Sequence, residues 1–288
     1  MKKMKLGLLF SRVRIEEKLL TQAAKRHGGI QLVPLSTNDL VLDFNCLPGV
    51  KVVLDRELSQ SRALHVLKLL ERNGVRAVNS FDTARIGGDK ILTSIELQKA
   101  GIPTPRIKVA FTPKSALQAA EELGYPVVLK PVDGSWGRLM AKIENRTAAE
   151  AILEHKVHLS SHYHGVFYLQ EFVDKPDRDI RAFVIGGVTV AAAYRSADHW
   201  LTNAALGAKT YPCPITSELD ALCVKACHAV GGDAIAVDLM ETKDGFTVHE
   251  VNCAMEFKAS MMAVDTDLPG LLIEHCVRVA HEDNEGIT

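Results

Sequence analysis

The sequence predicts a mixed protein in which an α/β part comes first and an α+β part follows. Strand-like and helix-like segments alternate up to residue 80, in the order KLGLLF (5–10), IEEKLLTQAAKRHGG (15–29), KVVLD (51–55), SQSRALHVLKLLERNG (59–74) and VRAVNS (75–80). Such alternation is typical of a parallel sheet covered by helices. After the two prolines of GIPTPR (101–106), strands come in antiparallel pairs, for example on either side of Gly186-Gly187.

The α+β part contains both element types in turn. Its predicted strands are VVLKP (127–131), LMAKIE (139–144), FYLQEFV (167–173), RDIRAFVIGGVTVAAAYRS (178–196, a hairpin) and AIAVDLMETKDGFTVHEVNC (234–253, a hairpin). Its predicted helices are TPKSALQAAEELGYP (112–126), SELDALCVKACHAVGG (217–232) and LPGLLIEHCVRVAHE (268–282). Pro113 suits the first turn of the helix that it opens, and Gly124 suits its end.

Composition narrows the class of protein. The chain has 288 residues, 47% of them apolar and 24% charged, with a net charge of −1. This is the profile of a globular protein of roughly two domains, and it favours neither nucleic acid nor a membrane as partner. The apolar run LGLLF is too short for a signal peptide or a membrane span, so we expect a cytoplasmic protein. Six cysteines without a Cys-x-x-Cys pair indicate reduced core thiols rather than a zinc site.

The last predicted hairpin holds three polar residues where apolar ones are expected. If Lys243-Asp244-Gly245 forms a three-residue loop, Asp238 faces Glu250, and Asn252 shares their face. Opposed carboxylates repel, and three hard oxygen ligands suit Mg²⁺. The alternative is a solvated polar face, which the predicted neighbours on that face disfavour: Ala236, Met240, Phe246 and Val248. From the residues alone, the two interpretations have equal weight.

Two lysines and a small-residue loop suggest a phosphate site. Lys130 ends an apolar strand, and the loop VDGSWGR (132–138) follows it. Backbone amides from Gly134 to Gly137 could cap phosphates while Lys130 supplies charge, although the Walker pattern is absent. Lys90 stands near a helix start after two glycines, which also favours anions. The structural interpretations of the same residues are a snorkelling lysine, an ordinary turn and a solvated lysine.

The order of these features resembles the ATP-grasp ligases. That order is Lys90, Lys130, GSWGR (134–138), QEFV (170–173), DIR (179–181), Arg195, Asn203, Asp238 and Glu250-x-Asn252. The segments RSADHWLTNAALGAK (195–209) and HEVNCAMEFK (249–258) are more specific. They look like the subfamily that ligates an amino acid to a small amino-group carrier protein in lysine and arginine biosynthesis. The resemblance extends over nearly the whole chain.

The resemblance implies a fold and a division of labour. It implies an N-terminal α/β (pre-ATP-grasp) domain at 1–88 and two α+β units, 89–172 and 173–288, that grip ATP between them. Lys90 and Lys130 would contact ATP phosphates, under a lid formed by Gly134, Ser135, Trp136, Gly137 and Arg138. Glu171, Phe172 and Val173 would hold the adenine. Asp179, Arg181, Arg195 and Asn203 would complete the nucleotide site, with Arg195 and Lys130 as catalytic residues.

The implied cofactors are ATP and Mg²⁺, the latter bound by Asp238, Glu250 and Asn252. The implied partners are a small acidic carrier protein ending in glutamate, an amino acid and a second copy of the chain. The carrier's carboxylate would be phosphorylated, and the amine of the amino acid would then displace phosphate. An acylphosphate hydrolyses readily, so a lid that excludes water is expected.

The amino acid is predicted from the segment that starts at Glu256. Subfamily members for 2-aminoadipate carry Asn and then Thr or Ala after Glu-Phe-Lys, whereas those for glutamate carry Gly-Phe. This chain has Glu256 and Lys258, followed by Ala259 and Ser260, which match neither. The small residues favour the longer 2-aminoadipate, with glutamate as an alternative or additional substrate. Two further functions fit the same residues: a glutamyl ligase acting on a different protein or cofactor tail, and a nucleotide-binding regulatory protein without turnover.

Overall fold

The computed structural model describes residues 3–44, 49–134, 137–158, 165–202 and 207–285. The first part of the chain forms a parallel sheet in the order β2-β1-β3-β4. Its strands are β1 (Met4–Phe10), β2 (Ile30–Ser36), β3 (Val52–Asp55) and β4 (Arg76–Val78), and its helices are α1 (Ile15–His27), α2 (Gln60–Arg72) and α3 (Phe81–Gly87). The alternation in the sequence predicted this parallel arrangement, which is confirmed; β2 was not predicted.

The middle of the chain forms a second, antiparallel sheet in the order β5-β8-β6-β7. Its strands are β5 (Ile107–Ala110), β6 (Val127–Lys130), β7 (Ala141–Ile143) and β8 (Phe167–Glu171). The helices of this part are α4 (Lys90–Lys99), α5 (Pro113–Leu123) and α6 (Arg146–His158). Helices α5 and α6 cover the sheet through an apolar cluster that includes Ala116, Leu153 and Phe167. Helix α5 begins at Pro113 behind the Thr112 cap, as predicted.

The last part forms a five-stranded antiparallel sheet in the order β11-β10-β9-β12-β13. Its elements are β9 (Arg178–Ile185), β10 (Val188–Ser196), β11 (Lys209–Pro212), α7 (Ser217–Ala229), β12 (Ala234–Thr242), β13 (Gly245–Asn252) and α8 (Leu268–Glu285). The predicted turn at Gly186-Gly187 joins β9 to β10, with φ of 59° and 77° at the two glycines. The predicted mixed fold class is thus confirmed.

Two apolar cores fix the position of the five-stranded sheet. On one face, α7 packs against β9 and β12 through residues such as Cys223, Cys227 and Ile235. On the other face, α8 packs together with β1 and β3, so that the first and last sheets share one core. The five described free cysteines therefore serve mainly as apolar side chains, four of them buried. Within the described segments, no helix is both long and apolar enough to cross a membrane.

Candidate active site

Two adjoining clefts border the five-stranded sheet. One, of about 60 Å³, lies between this sheet and the β5–β8 sheet, and we call it the Lys130 cleft. The other, of about 200 Å³, lies between this sheet and the carboxyl ends of the parallel strands, and we call it the Asp55 cleft. Lys90, Gly134 and Glu250 line both clefts. A molecule that crosses from one cleft to the other therefore passes these three residues.

The Lys130 cleft gathers most of the residues predicted to bind nucleotide. These residues are Lys90, Lys130, Gly134, Gly137, Arg138, Phe172, Val173 and Asp179; Glu250, predicted as a metal ligand, lines the same cleft. Glu171 is oriented differently, since its carboxylate accepts hydrogen bonds from the backbone and the guanidinium of Arg106 at 2.8 and 2.6 Å. Arg181 and Arg195 line the Asp55 cleft instead. Ser135, Trp136 and Asn203 lie outside the described residues.

Lys130 is the buried cation of its cleft. It is the last residue of β6, and only 3% of it is exposed. Burial lowers the pKa of Lys130 to about 8; the nearby Lys90 lowers it as well, whereas Glu250 and Asp238 raise it. A buried ammonium without a bound anion is unfavourable. The site is therefore suited to bind an anionic group next to Lys130.

Lys90 connects the small-residue loop to the hairpin. It is the first residue of α4, whose Asp89 cap accepts hydrogen bonds from two backbone amides at 2.8 and 3.1 Å. The Nζ atom of Lys90 donates to the carbonyl of Gly134 at 2.8 Å and lies 3.6 Å from Glu250 Oε1. The lysine thus stands where the two clefts meet, with its charge only partly neutralised.

The hairpin places Asp238 opposite Glu250, as predicted, but with a different turn and a bulge in β13. The predicted three-residue loop is wrong, because Thr242 pairs with Gly245 across a two-residue turn, and Gly245 has a φ of 111°. A bulge compensates: Leu239 pairs with Val248, Asp238 pairs with Glu250, and His249 between them is extra. The extra residue shifts the pairing by one position, so that Asp238 pairs with Glu250 despite the shorter turn.

The bulge also changes which apolar residues share the face of Asp238. Ala236 is two residues from Asp238 on the same strand, and Met240 lines the Lys130 cleft, both as expected. Phe246 and Val248 do not share this face; they belong to the α7 cluster, together with Leu239. Side chains alternate along a strand, so one inserted residue reverses the faces on its two sides. The predicted position of Phe246 and Val248 is therefore wrong.

Arginines and carboxylates alternate across the sheet beside the hairpin. Arg181 donates to both oxygens of Asp238, at 2.8 and 2.6 Å, and Arg195 donates to both oxygens of Asp179, at 2.7 and 2.8 Å. Arg195 Nη2 lies 3.3 Å from Asp238 Oδ1 and joins the two pairs. Burial alone would raise the pKa of Asp238, but Arg181 and Arg195 outweigh it and hold that pKa below its usual value. The same carboxylates raise the pKa of Arg195 against the effect of burial.

The donor set of the hairpin fits Mg²⁺ in its chemistry. Asp238 and Glu250 supply hard oxygen atoms on neighbouring strands, and Asn252 lies within hydrogen-bond distance of Asp238 at 3.3 Å. Among the described residues, no group of three His, Cys, Asp or Glu side chains is close enough to hold a metal ion. The candidate donors are thus two carboxylates and one amide, a set that suits an ion taking its other ligands from phosphate and water.

The Asp55 cleft is lined by charged residues from both ends of the chain. Asp55 ends β3 and Glu57 follows it, Arg14 precedes α1, and Glu256 follows β13. Arg14 donates to Glu256 at 2.6 Å and also pairs with Glu17, an ion pair that fixes the start of α1. Acidic and basic groups thus face each other across a cavity large enough for an amino acid.

Of the four residues predicted to choose the amino acid, Glu256 lines the Asp55 cleft. Lys258, Ala259 and Ser260 are not among the lining residues of either cleft. The backbone amide of Lys258 donates to Glu16 at 3.4 Å, and the carbonyl of Ala259 accepts from Thr210 at 3.1 Å. Ser260 is buried. These three residues are therefore held by contacts with the N-terminal part of the chain and with β11, outside the lining of the two clefts.

Several residues of the two clefts were not singled out in the sequence. In the Lys130 cleft they include Gln170, Lys175, Trp200, Thr202 and His249. Asp55 was missed although a signal existed, since it ends a buried parallel strand, and ligands bind at the carboxyl ends of such strands. No pattern in the sequence indicates the bulge at His249. Both ring nitrogens of this histidine are buried without a hydrogen-bond partner in the described structure.

Two family models match the chain. A LysX preATP-grasp domain matches residues 6–86, and a RimK-like ATP-grasp domain matches residues 87–276. Alpha-aminoadipate--LysW ligase LysX of Saccharolobus solfataricus is 38% identical over 266 residues, which cover 91% of this chain and 96% of that protein. Glutamate--LysW ligase ArgX of Sulfolobus acidocaldarius is 33% identical over 276 residues, covering 94% and 98%.

A solved structure agrees with these matches. The RimK domain ATP-grasp protein from Sphaerobacter thermophilus superposes with a TM-score of 0.77 at 26% identity and covers 95% of this chain and 99% of that chain. The two family models together match residues 6–276, and the superposition extends over 95% of this chain. The chain therefore belongs to the RimK-like ATP-grasp family, with a LysX-type pre-ATP-grasp domain ahead of the ATP-grasp part.

Proposed function

We propose that the protein is an ATP-dependent carboxylate–amine ligase. It joins the α-amine of 2-aminoadipate to the side-chain carboxylate of the C-terminal glutamate of a small acidic amino-group carrier protein. The observation that carries the proposal is the meeting of the two clefts at Lys90, Gly134 and Glu250. Such a junction lets a nucleotide in one cleft meet a carboxylate and an amine in the other. The names of the relatives LysX and ArgX support the same chemistry.

ATP would occupy the Lys130 cleft. Lys90 and Lys130 would neutralise its phosphates, Phe172 and Val173 would border the adenine, and Gly134 to Arg138 would close over the phosphates. Burial strengthens these electrostatic interactions because water is excluded. Glu171 near the adenine, Asn203 near the phosphate, and Ser135 and Trp136 in the lid remain part of this proposal through the resemblance to the family.

Asp238, Glu250 and Asn252 would hold Mg²⁺ beside the phosphates. The ion, when bound, neutralises phosphate charge during transfer. Asp238 would keep Arg181 and Arg195 in place at the same time, because it already bonds to Arg181 and lies 3.3 Å from Arg195. One carboxylate thereby connects the phosphate site with the acceptor site.

The reaction would proceed in two displacements. An oxygen of the carrier's glutamate attacks the γ-phosphorus, the bond to the β-phosphate oxygen breaks, and ADP leaves. The amine then attacks the acyl carbon, the carbon–oxygen bond to phosphate breaks, and an amide remains. Lys130 on the nucleotide side and Arg195 on the acceptor side would stabilise the transferred group, and Asp179 keeps Arg195 oriented through two hydrogen bonds.

We propose that the segment from Glu256 to Ser260 determines which amino acid is used. The small Ala259 and Ser260, which follow Glu256 in the chain, favour 2-aminoadipate, and glutamate is the second candidate because ArgX is also a relative. One methylene group contributes only about 0.8 kcal/mol of burial, so strict exclusion of glutamate by size is not expected. The cytoplasmic location and a homo-oligomeric assembly are further parts of this proposal.

The decisive experiment measures ADP release and the mass of the carrier. The enzyme is incubated with Mg-ATP, purified carrier and either 2-aminoadipate or glutamate, and a carrier lacking its last glutamate serves as control. We expect a carrier mass increased by one amino-acid residue, with 2-aminoadipate preferred. ADP release without an amide product from either amino acid would overturn the proposal. Glutamate added in several copies would indicate a glutamyl ligase, and nucleotide binding without carrier-dependent ADP release would indicate a regulatory protein.

A further inference from the structure

Asp55 occupies a position in the first sheet where a ligand is expected. It is the last residue of β3, a central strand of the parallel sheet, and lines the Asp55 cleft. Ligands of open parallel sheets bind beyond the carboxyl ends of the strands. Only 7% of the residue is exposed, so Asp55 is a buried residue that lines the cleft.

The contacts of Asp55 leave part of its carboxylate unused. Its Oδ1 atom accepts a hydrogen bond from the backbone amide of Glu57 at 2.9 Å. Among the described residues, no ion pair includes Asp55. A buried carboxylate without an ion pair is costly, which makes it a candidate for a functional group.

The neighbours of Asp55 are engaged in contacts that hold the fold together. The Glu57 carboxylate accepts from Ser11 at 2.7 Å, from Thr37 at 2.6 Å and from the backbone of Ser59 at 2.8 Å. Arg56 donates to the carbonyl of Met255 at 2.6 Å and approaches Glu17 at 3.4 Å. Of these three consecutive charged residues, Asp55 is the one whose side chain is not required by such contacts.

The charges around the Asp55 cleft favour Asp55 as the group that would receive an amine. Its cations are Arg14, Lys90, Arg181 and Arg195. Its other carboxylates are Glu57, Glu250 and Glu256. Each of these cations already has an acidic partner: Arg14 pairs with Glu17 and Glu256, Lys90 lies 3.6 Å from Glu250, Arg181 pairs with Asp238, and Arg195 pairs with Asp179 and Asp238. Among the described residues that line the cleft, Asp55 is the carboxylate with neither an ion pair nor a hydrogen bond from a side chain, so we expect it to attract a cationic amine.

We propose that Asp55 receives the amine of the incoming amino acid and takes a proton from it, so that the neutral amine attacks the acylphosphate. This inference rests on the proposed function and adds a catalytic residue from the N-terminal sheet. It assigns the parallel sheet a part in the second displacement, besides its part in building the cleft.

The proton balance of the step is complete. The ammonium group transfers one proton to the Asp55 carboxylate, and the free electron pair on nitrogen forms the new bond to the acyl carbon. The carbon–oxygen bond to phosphate breaks, and the departing phosphate takes the second proton from nitrogen as HPO₄²⁻. Asp55 afterwards releases its proton to water in the open cleft.

The environment of Asp55 suits a base at neutral pH. Burial raises the pKa of Asp55 to about 6, against the lowering by the Glu57 amide and the Arg56 charge. The group is therefore ionised at pH 7, yet it binds a proton more strongly than an ordinary aspartate does. A general base works best when its pKa lies near the working pH.

The test separates the second displacement from the first. Asp55→Asn keeps an oxygen that can accept from the Glu57 amide but cannot take a proton. Hydroxylamine, whose nitrogen is already neutral at pH 7, traps an acylphosphate as a hydroxamate without needing a base. With ATP and carrier, we expect the variant to form hydroxamate as the wild type does, and to form amide with 2-aminoadipate about 10²–10⁴-fold more slowly.

Controls make each outcome decisive. Asp82→Asn removes an exposed carboxylate from α3 and should change neither product. Raising the pH should restore part of the amide formation by Asp55→Asn, because the amino acid then arrives with a neutral amine. Amide formation by Asp55→Asn at the wild-type rate, or an equal loss of hydroxamate and amide, would overturn the inference. Absence of hydroxamate with the wild type would instead count against the proposed function itself.

Discussion

Asp238 and Glu250 face each other on neighbouring strands although the turn between them is shorter than the sequence predicts. The bulge at His249 adds the residue that the turn lacks, and Asp238 therefore still pairs with Glu250. Phe246 and Val248, which precede the bulge, lie on the other face of the sheet, against α7. The bulge is thus part of the site, because without it Glu250 would point into the α7 core.

Replacing Glu250 with glutamine should abolish turnover and leave the fold intact. The change removes one of the two proposed Mg²⁺ carboxylates and the partner of Lys90 at 3.6 Å, while the shape of the side chain is kept. Carrier-dependent ADP release measures the effect, and circular dichroism checks the fold. Glu144→Gln, at an exposed position after β7, is the control that should remain active. Near-normal turnover by Glu250→Gln would show that the hairpin does not hold the metal.

The hairpin shows why the sequence predicts some of the site and not the rest. Alternating apolar residues predict the strands, and the polar exceptions Asp238, Glu250 and Asn252 mark the site. The turn length and the bulge depend on how β12 packs against β9 and α7, which no local pattern contains. The same limit applies to the Asp55 cleft, where Arg14 and Glu256 pair although they are 242 positions apart.

Replacing Asp238 with asparagine should destabilise the protein strongly. The variant leaves Arg181 without its bidentate partner in a buried place and removes one of the two carboxylates beside Arg195. We expect a loss of about 3 kcal/mol in the free energy of unfolding, which is the lower part of the range for a broken buried pair, because Arg195 keeps Asp179. Urea denaturation at pH 7 measures this loss.

Glu241→Gln is the matched control for that experiment. Glu241 lies on the same strand and forms the same bidentate pair, with Arg178 at 2.6 and 2.9 Å, but nearer the surface. Loss of the Arg178–Glu241 pair should lower the free energy of unfolding by only about 0–1 kcal/mol. Equal destabilisation by the two variants would contradict the special role of the buried pair.

Acid should remove the contribution of Asp238 to stability. The pKa of Asp238 is held below its usual value of 3.8 in the folded protein, so the folded state binds fewer protons than the unfolded chain in this range. The contribution is fully present above pH 3.8 and is lost as the pH falls through the folded-state pKa. The difference in stability between wild type and Asp238→Asn should therefore be constant near neutral pH and shrink below that value. A difference that shrinks on going from pH 7 to pH 5 would contradict this assignment.

Replacing Gly87 with alanine should destabilise the junction between α3 and α4. An added Cβ at Gly87 would lie 2.0 Å from the Sγ atom of Cys253, which follows β13. We expect a loss of about 1–3 kcal/mol from overpacking, measured by thermal denaturation. Cys253→Ala in the same chain removes the clashing sulfur and should restore part of the loss, although the Cβ of residue 253 stays at 3.2 Å. Additive losses in the double variant would show that the contact is not the cause.

Nucleotide affinity should decrease as the pH rises through 8. Burial lowers the pKa of Lys130 to about 8, so the ammonium next to the proposed phosphate site loses its charge at a pH where exposed lysines keep theirs. If only the charged form binds phosphate well, the dissociation constant of a non-hydrolysable ATP analogue should rise about tenfold between pH 7 and pH 9. Isothermal titration calorimetry with Mg²⁺ present measures this rise. Lys130→Gln should bind weakly at both pH values, because it has no charge to lose. The same tenfold rise in Lys130→Gln would assign the pH dependence to another group.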